Sequence, residues 1–248
     1  MSLESLNQIE KGNTQIGVNA AVILFLLEEK KGGAPVDSLF DIPCGEGQFL
    51  RAVKKFFPDL KVRGQDLYTT PHPEIQSAII KADAKDFSHL HGEKFDVITS
   101  ISGVMVFDDV SGLFQRCSAH LNPGGILVVT NDNILTLRDR FSFLLFGRLR
   151  RFKLLYSPTE GNWNVVLIQG LWKQFISNNF VIEKVEYTSL RLEDYLLMPF
   201  ALIIYPLQVL YLLLSKGEMS LHDRFRLFSF KSLVARHYVI FGRKKIGR

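Results

Sequence analysis

Between Phe40 and Leu50 the chain reads FDIPCGEGQFL: an apolar run ends at a carboxylate, Asp41, and two glycines follow at Gly45 and Gly47. Glycines in such a turn let the backbone bend sharply and approach a ligand closely. A second carboxylate, Asp66, closes the stretch LKVRGQD, at roughly the 20-residue spacing that puts an acid against ribose hydroxyls. Together the two features predict a ribose-bearing ligand.

The glycine spacing narrows the ligand. A dinucleotide loop needs G-x-G-x-x-G, whose last glycine lets helix and strand pack closely below a pyrophosphate. Here Leu50 holds the third glycine position, and Glu46 would set a negative side chain near a pyrophosphate. A cationic sulfonium ligand carrying ribose, adenine and an amino-acid tail suits the loop better. Pro43 stands inside it, fixing φ and removing one N–H, which is tolerable if that N–H makes no ligand contact.

The elements that must position these residues follow from periodicity. TQIGVNAAVILFLLEE, from Thr14 to Glu29, reads as a helix. VDSLFDI, LKVRGQD, AIIKAD, FDVITSI, ILVVT, FVIEKVEYT and HYVIFGRK read as seven strands, with a turn at Asn122-Pro123-Gly124-Gly125 before the fifth. Helical spacing of Phe49, Leu50, Val53, Phe56 and Phe57, and of Val110, Leu113, Phe114, Cys117 and Leu121, fills the intervals. Strands alternating with helices predict an α/β fold: a Rossmann-like, doubly wound, mostly parallel seven-stranded sheet.

At 248 residues, 47% hydrophobic and 22% charged, the chain reads as one globular domain over 1–248 rather than a disordered one. Within it lie an N-terminal helical segment (1–33), a basic substrate-lid segment (133–165) and an apolar insert between the last two strands (189–233). The net charge of +5 is uneven: Arg138, Arg140, Arg148, Arg150, Arg151 and Lys153 face only Asp139. That segment reads either as a helix over the substrate cleft or as a membrane-surface helix drawn to anionic lipid. No nucleic-acid motif accompanies the charge.

Five motifs in order, DIPCGEG, GQDL, KADAKDF, FDVITSISGVMVFDD and LNPGGILVVTNDN, resemble the class I S-adenosylmethionine-dependent methyltransferases from about Pro35 to Asp132 and again in the last strand pair. The resemblance implies S-adenosylmethionine as cofactor. Asp41, Gly45 and Gly47 would line its methionine end and Asp66 its ribose diol. Asp83 and Ala84 would lie beside the adenine, and Ser102 near the transferable methyl. Val106-Phe107 stands where many relatives carry Glu-His, which excludes a histidine base there.

Asp108, Asp109, Asn131 and Asp132 lie near the expected strand ends and are weak catalytic candidates whose spacing assigns no role. Cys44 reads as a packed residue, and the six histidines show no metal spacing and read as surface or helix-end residues. Tyr195 to Leu214 carries no charge. A single span there would split neighbouring strands across a bilayer, and Pro199 and Pro206 would interrupt a straight helix. The expectation is a shallow one-leaflet insertion or a buried cap on the active site. The N-terminus shows no cationic region before an apolar run, so a cytoplasmic protein peripheral to the inner face of the membrane is expected.

The function so implied is methyl transfer, to oxygen or carbon, of a small apolar or lipid-linked acceptor. The competing readings are a non-catalytic membrane-associated binding protein on the same fold and, with the third glycine missing, an NAD-dependent oxidoreductase.

Overall fold

A computed structural model describes residues 9–150 and 164–246. Its sheet comprises β1 (Ser38–Asp41), β2 (Lys61–Asp66), β3 (Ile79–Lys81), β4 (Phe95–Ile101), β5 (Leu121–Asp132), β6 (Phe180–Thr188) and β7 (His237–Lys244), in the order β3-β2-β1-β4-β5-β7-β6. The first five run parallel, and β7 enters antiparallel between β5 and β6. This is the expected doubly wound architecture. Strand order reverses between β1 and β4, so a crevice opens at their carboxyl ends, where open α/β sheets bind ligands.

The central strands read as continuous apolar runs because both faces are covered. Leu127 and Val129 of β5 point into one cluster, with Phe114 and Cys117 of α3 (Val110–His120) and Leu171 and Phe175 of α5 (Ile168–Ser177). Ile126 and Val128 point into the other, with Val22 and Leu26 of α1 (Val18–Lys31) and Leu50 and Val53 of α2 (Gln48–Phe56). Between α3 and α5 in the chain lies α4 (Leu137–Phe146), at the edge of the sheet's carboxyl end.

Two local readings differ from the sequence expectation. The first helix begins at Val18 rather than Thr14, because Gly17 takes φ +86° and ends any helical run there. The segment ahead of it is thereby free to cross the crevice. The turn at Asn122–Gly125 lies within β5, as a bulge: Leu121 pairs with Phe95, and the ladder resumes at Ile126 with Val97.

The connection from β6 to β7 carries a helical turn (Leu192–Tyr195), then α6 (Met198–Leu214) and α7 (Leu221–Leu227). α6 is continuous through both prolines, contrary to the sequence expectation. Pro199 occupies the first turn, where no N–H is required, and Pro206 lies in the interior. Only Ala201 and Leu212 of α6 are buried, so the helix is not an enclosed cap. Among the described residues no helix is long and apolar enough to cross a membrane.

A buried ion pair helps to fasten the insert. Arg236, immediately before β7, grips Asp194 with Nε–Oδ2 at 2.6 Å and Nη2–Oδ1 at 2.7 Å, and Nη2 also reaches Glu193. Both side chains of the Arg236–Asp194 pair are almost wholly buried. Removing one partner leaves the other charge uncompensated, which costs about 3–5 kcal/mol. Asp194→Ala is therefore expected to lose that much stability in chemical denaturation, and more than the paired replacement Asp194→Leu with Arg236→Met. A loss below about 1 kcal/mol would contradict the anchor.

Candidate active site

The crevice holds a cavity of about 690 Å³, lined by the first loop, the ends of β2 and β4, and the segment ahead of α1. That volume lies within the range of small-molecule sites. A more open depression of about 730 Å³ at the amino ends of the parallel strands is lined by Asn179, Val181 and Arg243 to Ile246. There Arg243 is already paired with Glu183 and Glu29.

Asp41 forms the cavity floor. It is buried, and Oδ1 accepts a 2.6 Å hydrogen bond from Thr99 Oγ1 on the neighbouring strand. Burial pushes its carboxyl up to about 7; the Thr99 hydroxyl works against the rise and the nearby Asp66 charge adds to it. Such a group stays charged at neutral pH when a cation stands beside it.

The loop that follows is built on two glycines. Gly45 has φ +57° and donates its N–H to Asp66 Oδ2 at 3.0 Å. Gly47 caps α2 at φ +86°, where a Cβ would lie 2.5 Å from Ile75 Cγ2 and 2.7 Å from Ile79 Cδ1. Pro43 follows a cis peptide bond and packs on Gly103, where a Cβ would fall 2.1 Å from Pro43 Cδ. Cys44 is buried, its N–H donates to Gln65 O at 3.0 Å, and burial pushes its thiol up, so it packs rather than reacts.

Asp66 also accepts from Tyr68 N at 2.9 Å and Thr69 N at 3.0 Å through Oδ1. It therefore ties the glycine loop to the turn after β2 and keeps part of its acceptor capacity for a ligand. Asp83 and Ala84 line the cavity from the loop after β3, with Asp83 Oδ1 accepting from Lys85 N at 2.8 Å. Gln65, which sequence reasoning passed over, holds that loop: its Nε2 donates to Asp83 O at 2.5 Å and to Asp86 O at 3.0 Å.

Asp41, Gly45, Asp66, Asp83, Ala84, Ser102 and Asp108 all line the cavity, whereas Gly47, Asp109, Asn131 and Asp132 do not. Asp108 is exposed beside Lys85, at 3.5 Å. Asp109 caps α3, Oδ1 accepting from Gly112 N at 2.7 Å. Asn131 is buried and donates to Val166 O at 3.3 Å. Asp132 is buried against His237, with Nδ1–Oδ1 at 3.2 Å.

Two further features escaped the sequence. His237 is fully buried at the start of β7, not a surface or helix-end residue, because the antiparallel register sets it opposite Asp132. The stretch Lys11–Thr14 also lines the cavity, held by Asn19 Nδ2 bonds to Glu10 O at 2.8 Å and Lys11 O at 3.2 Å. An isolated histidine in HYVIF and a polar stretch before a helix carry no motif signal. The partner of each becomes visible only once strand order is known.

The Asp41 environment sets a pH dependence. Its folded pKa near 7 lies above the unfolded value of about 3.9, so the folded chain holds a proton that the unfolded chain has lost. This contribution to stability is complete below pH about 4 and is lost as pH rises through about 7. Asp41→Asn keeps an acceptor for Thr99 and removes the titration. The ligand-free wild type should lose stability relative to this variant, by a few kcal/mol on the order of the shift, between about pH 4 and 7, and little more above that. Parallel pH profiles in chemical denaturation would contradict the assignment.

Comparison with known proteins agrees with this geometry. Residues 40–129 match the family described as methyltransferase domain. A ubiquinone biosynthesis O-methyltransferase of Actinobacillus pleuropneumoniae is 29% identical over 120 residues, 43% of this chain and 50% of that protein. The chain thus matches about half the length of that curated relative. A SAM-dependent methyltransferase structure from Archaeoglobus fulgidus superposes with TM-score 0.54 at 16% identity, over 91% of this chain and 94% of the other. Magnesium protoporphyrin IX methyltransferase from Synechocystis PCC 6803, with bound SAH, gives 0.52 at 12% identity, over 92% and 81%. In sheet order, in its glycine loop and in the match over residues 40–129, the chain is similar to S-adenosylmethionine-dependent methyltransferases.

Proposed function

We propose that this chain transfers a methyl group from S-adenosylmethionine to a small apolar or lipid-linked acceptor, by O- or C-methylation, at a membrane surface. The observation that carries the cofactor reading is the buried Asp41 carboxyl, raised by burial at the floor of an acidic cavity. Asp41, Asp66 and Asp83 all line that cavity, a donor set that favours a cation and disfavours a pyrophosphate. The residues present therefore fit a sulfonium ligand with a charged amino-acid tail.

When bound, the cofactor supplies a methyl group already activated on sulfur. The chain's part is to hold and orient. In this reading Asp41 compensates the cationic methionyl end and Gly45 lets the backbone come close, while Gly47 turns the loop into α2 against Ile75 and Ile79. Asp66 accepts the ribose hydroxyls, Asp83 and Ala84 meet the adenine, and Ser102 faces the methyl. An oxidoreductase reading gains nothing from the cavity, whose acids would repel a dinucleotide. The oxygen acceptor is favoured by the relative's description as an O-methyltransferase.

The membrane reading is supported by an exposed apolar face. α6 presents Phe200, Leu202, Ile203, Leu207, Leu210 and Leu214 to solvent, and α4, packed on it through Phe141 and Phe200, presents Phe143 to Phe146. Contiguous apolar exposure on this scale marks an interaction surface. The basic segment contributes less than its sequence suggests. Arg138 is ion-paired to Glu193 at 3.1 Å and Arg150 to Asp139 at 3.6 Å, and Arg140 bonds Leu135 O and Gln208. Arg151 and Lys153, with the rest of residues 151–163 of the expected lid, lie outside the described residues. Attachment is therefore chiefly apolar.

Two measurements follow. Calorimetric titration should show binding of S-adenosylmethionine and not NAD, weakened by about 10-fold or more in Asp66→Asn, because a charge-assisted bond is worth about 1.5–3 kcal/mol. Unchanged affinity would contradict the ribose role. In flotation, the protein should rise with both anionic and neutral liposomes and lose little to salt. Ile203→Glu with Leu207→Glu should abolish flotation while sparing cofactor affinity. Wild-type protein that stays at the bottom of the gradient would remove the membrane from the account.

A further inference from the structure

Ser102 Oγ lies 3.2 Å from His237 Nε2, and His237 Nδ1 lies 3.2 Å from Asp132 Oδ1. Only the outermost member of this series, Ser102, lines the cavity. Its neighbours are fixed as well. Ser102 N donates to Thr130 Oγ1 at 2.8 Å, Thr130 Oγ1 lies 3.2 Å from His237 Nε2, and Thr14 Oγ1 lies 2.6 Å from Ser102 Oγ.

The bonds assign the protons. An ionised carboxylate only accepts, so Nδ1 carries the hydrogen toward Asp132 and Nε2 turns its lone pair to the two hydroxyls. The Ser102 O–H can donate to that lone pair while its oxygen faces the cavity. Ser102 is also held at φ +55°, a left-handed conformation that costs a non-glycine residue free energy and persists where surrounding structure enforces it. A serine needed only for packing would not require this. A histidine and an aspartate paired in full burial likewise forgo the stability that apolar residues of their volume would give.

We propose that Ser102, His237 and Asp132 form a proton relay that deprotonates a hydroxyl acceptor during methyl transfer. The inference rests on the methyl-transfer reading and adds the groups that receive the proton. As the acceptor oxygen bonds the methyl carbon, the carbon–sulfur bond breaks and its electron pair returns to sulfur, which becomes neutral. The acceptor's proton passes to Ser102 Oγ as the Ser102 proton passes to His237 Nε2. The positive charge lost at sulfur reappears on the imidazole, where the Asp132 carboxylate stabilises it. No other reactant is needed, and the proton leaves to water after the product departs.

The relay is tested on the full chain with methyl-labelled S-adenosylmethionine and a set of long-chain alkylphenols and alkylcatechols as acceptors. His237→Gln keeps a polar side chain at the site and removes the base. It should lower kcat by 100-fold or more, within the range ascribed to general base catalysis, and leave the KM for S-adenosylmethionine within about 3-fold. Equal losses in kcat and KM, or a rate retained by His237→Gln, would overturn the relay. Long-range proton–nitrogen spectra of ring-labelled histidine give a second readout without turnover. His237 should be neutral with hydrogen on Nδ1 at pH about 7.5, as the relay requires of its accepting nitrogen. Hydrogen on Nε2 would overturn it. Protein that binds S-adenosylmethionine but methylates none of the acceptors would also overturn the relay, whereas protein that fails to bind it would overturn the methyl-transfer reading instead.

Discussion

Across the centre of the sheet, the Thr99 hydroxyl donates to the Asp41 carboxylate, and the two residues are partners in the β1–β4 register. Both are buried, and that single cross-strand bond fixes a carboxylate where strand order reverses. A buried carboxylate with one hydroxyl donor is poorly compensated and gains from a cation. The adjoining loop suits that need: Gly45 turns the backbone toward Asp66, so two acids and a glycine backbone converge on one cavity. The choice of a sulfonium over a pyrophosphate follows from this charge arrangement.

The same device recurs one strand pair away. Asp132 and His237 are partners in the β5–β7 register, just as Asp41 and Thr99 are between β1 and β4. The residue before His237 is Arg236, whose guanidinium holds Asp194 at the foot of the apolar insert. Two consecutive residues therefore tie the foot of the insert and the buried Asp132 behind Ser102 to the start of β7.

Legibility in the sequence divides along local and long-range lines. The boundaries of β4, β6 and β7 are those of the runs FDVITSI, FVIEKVEYT and HYVIFGRK, because apolar strands between turns announce themselves locally. Asp41, Gly45 and Asp66 were legible for the same reason, each sitting at a fixed offset from a strand end. Asp109 was read as a catalytic candidate and is a helix cap, since a carboxylate before a helix looks alike in either role. His237 was invisible because its meaning comes from Asp132, far away in the chain and opposite it only after β7 enters antiparallel. The charge of the Arg138 segment was legible and its effect was not, because Glu193 and Asp139 neutralise much of it in the fold.

The central claim is that Asp41 exchanges a proton for a cationic ligand, and calorimetry can count that proton. S-adenosylmethionine is titrated into the protein at about pH 6, below the raised Asp41 value of about 7, in buffers of different ionisation enthalpy. The account predicts release of nearly one proton per site, absent in Asp41→Asn. Binding with no proton exchange, or with proton uptake, would contradict it.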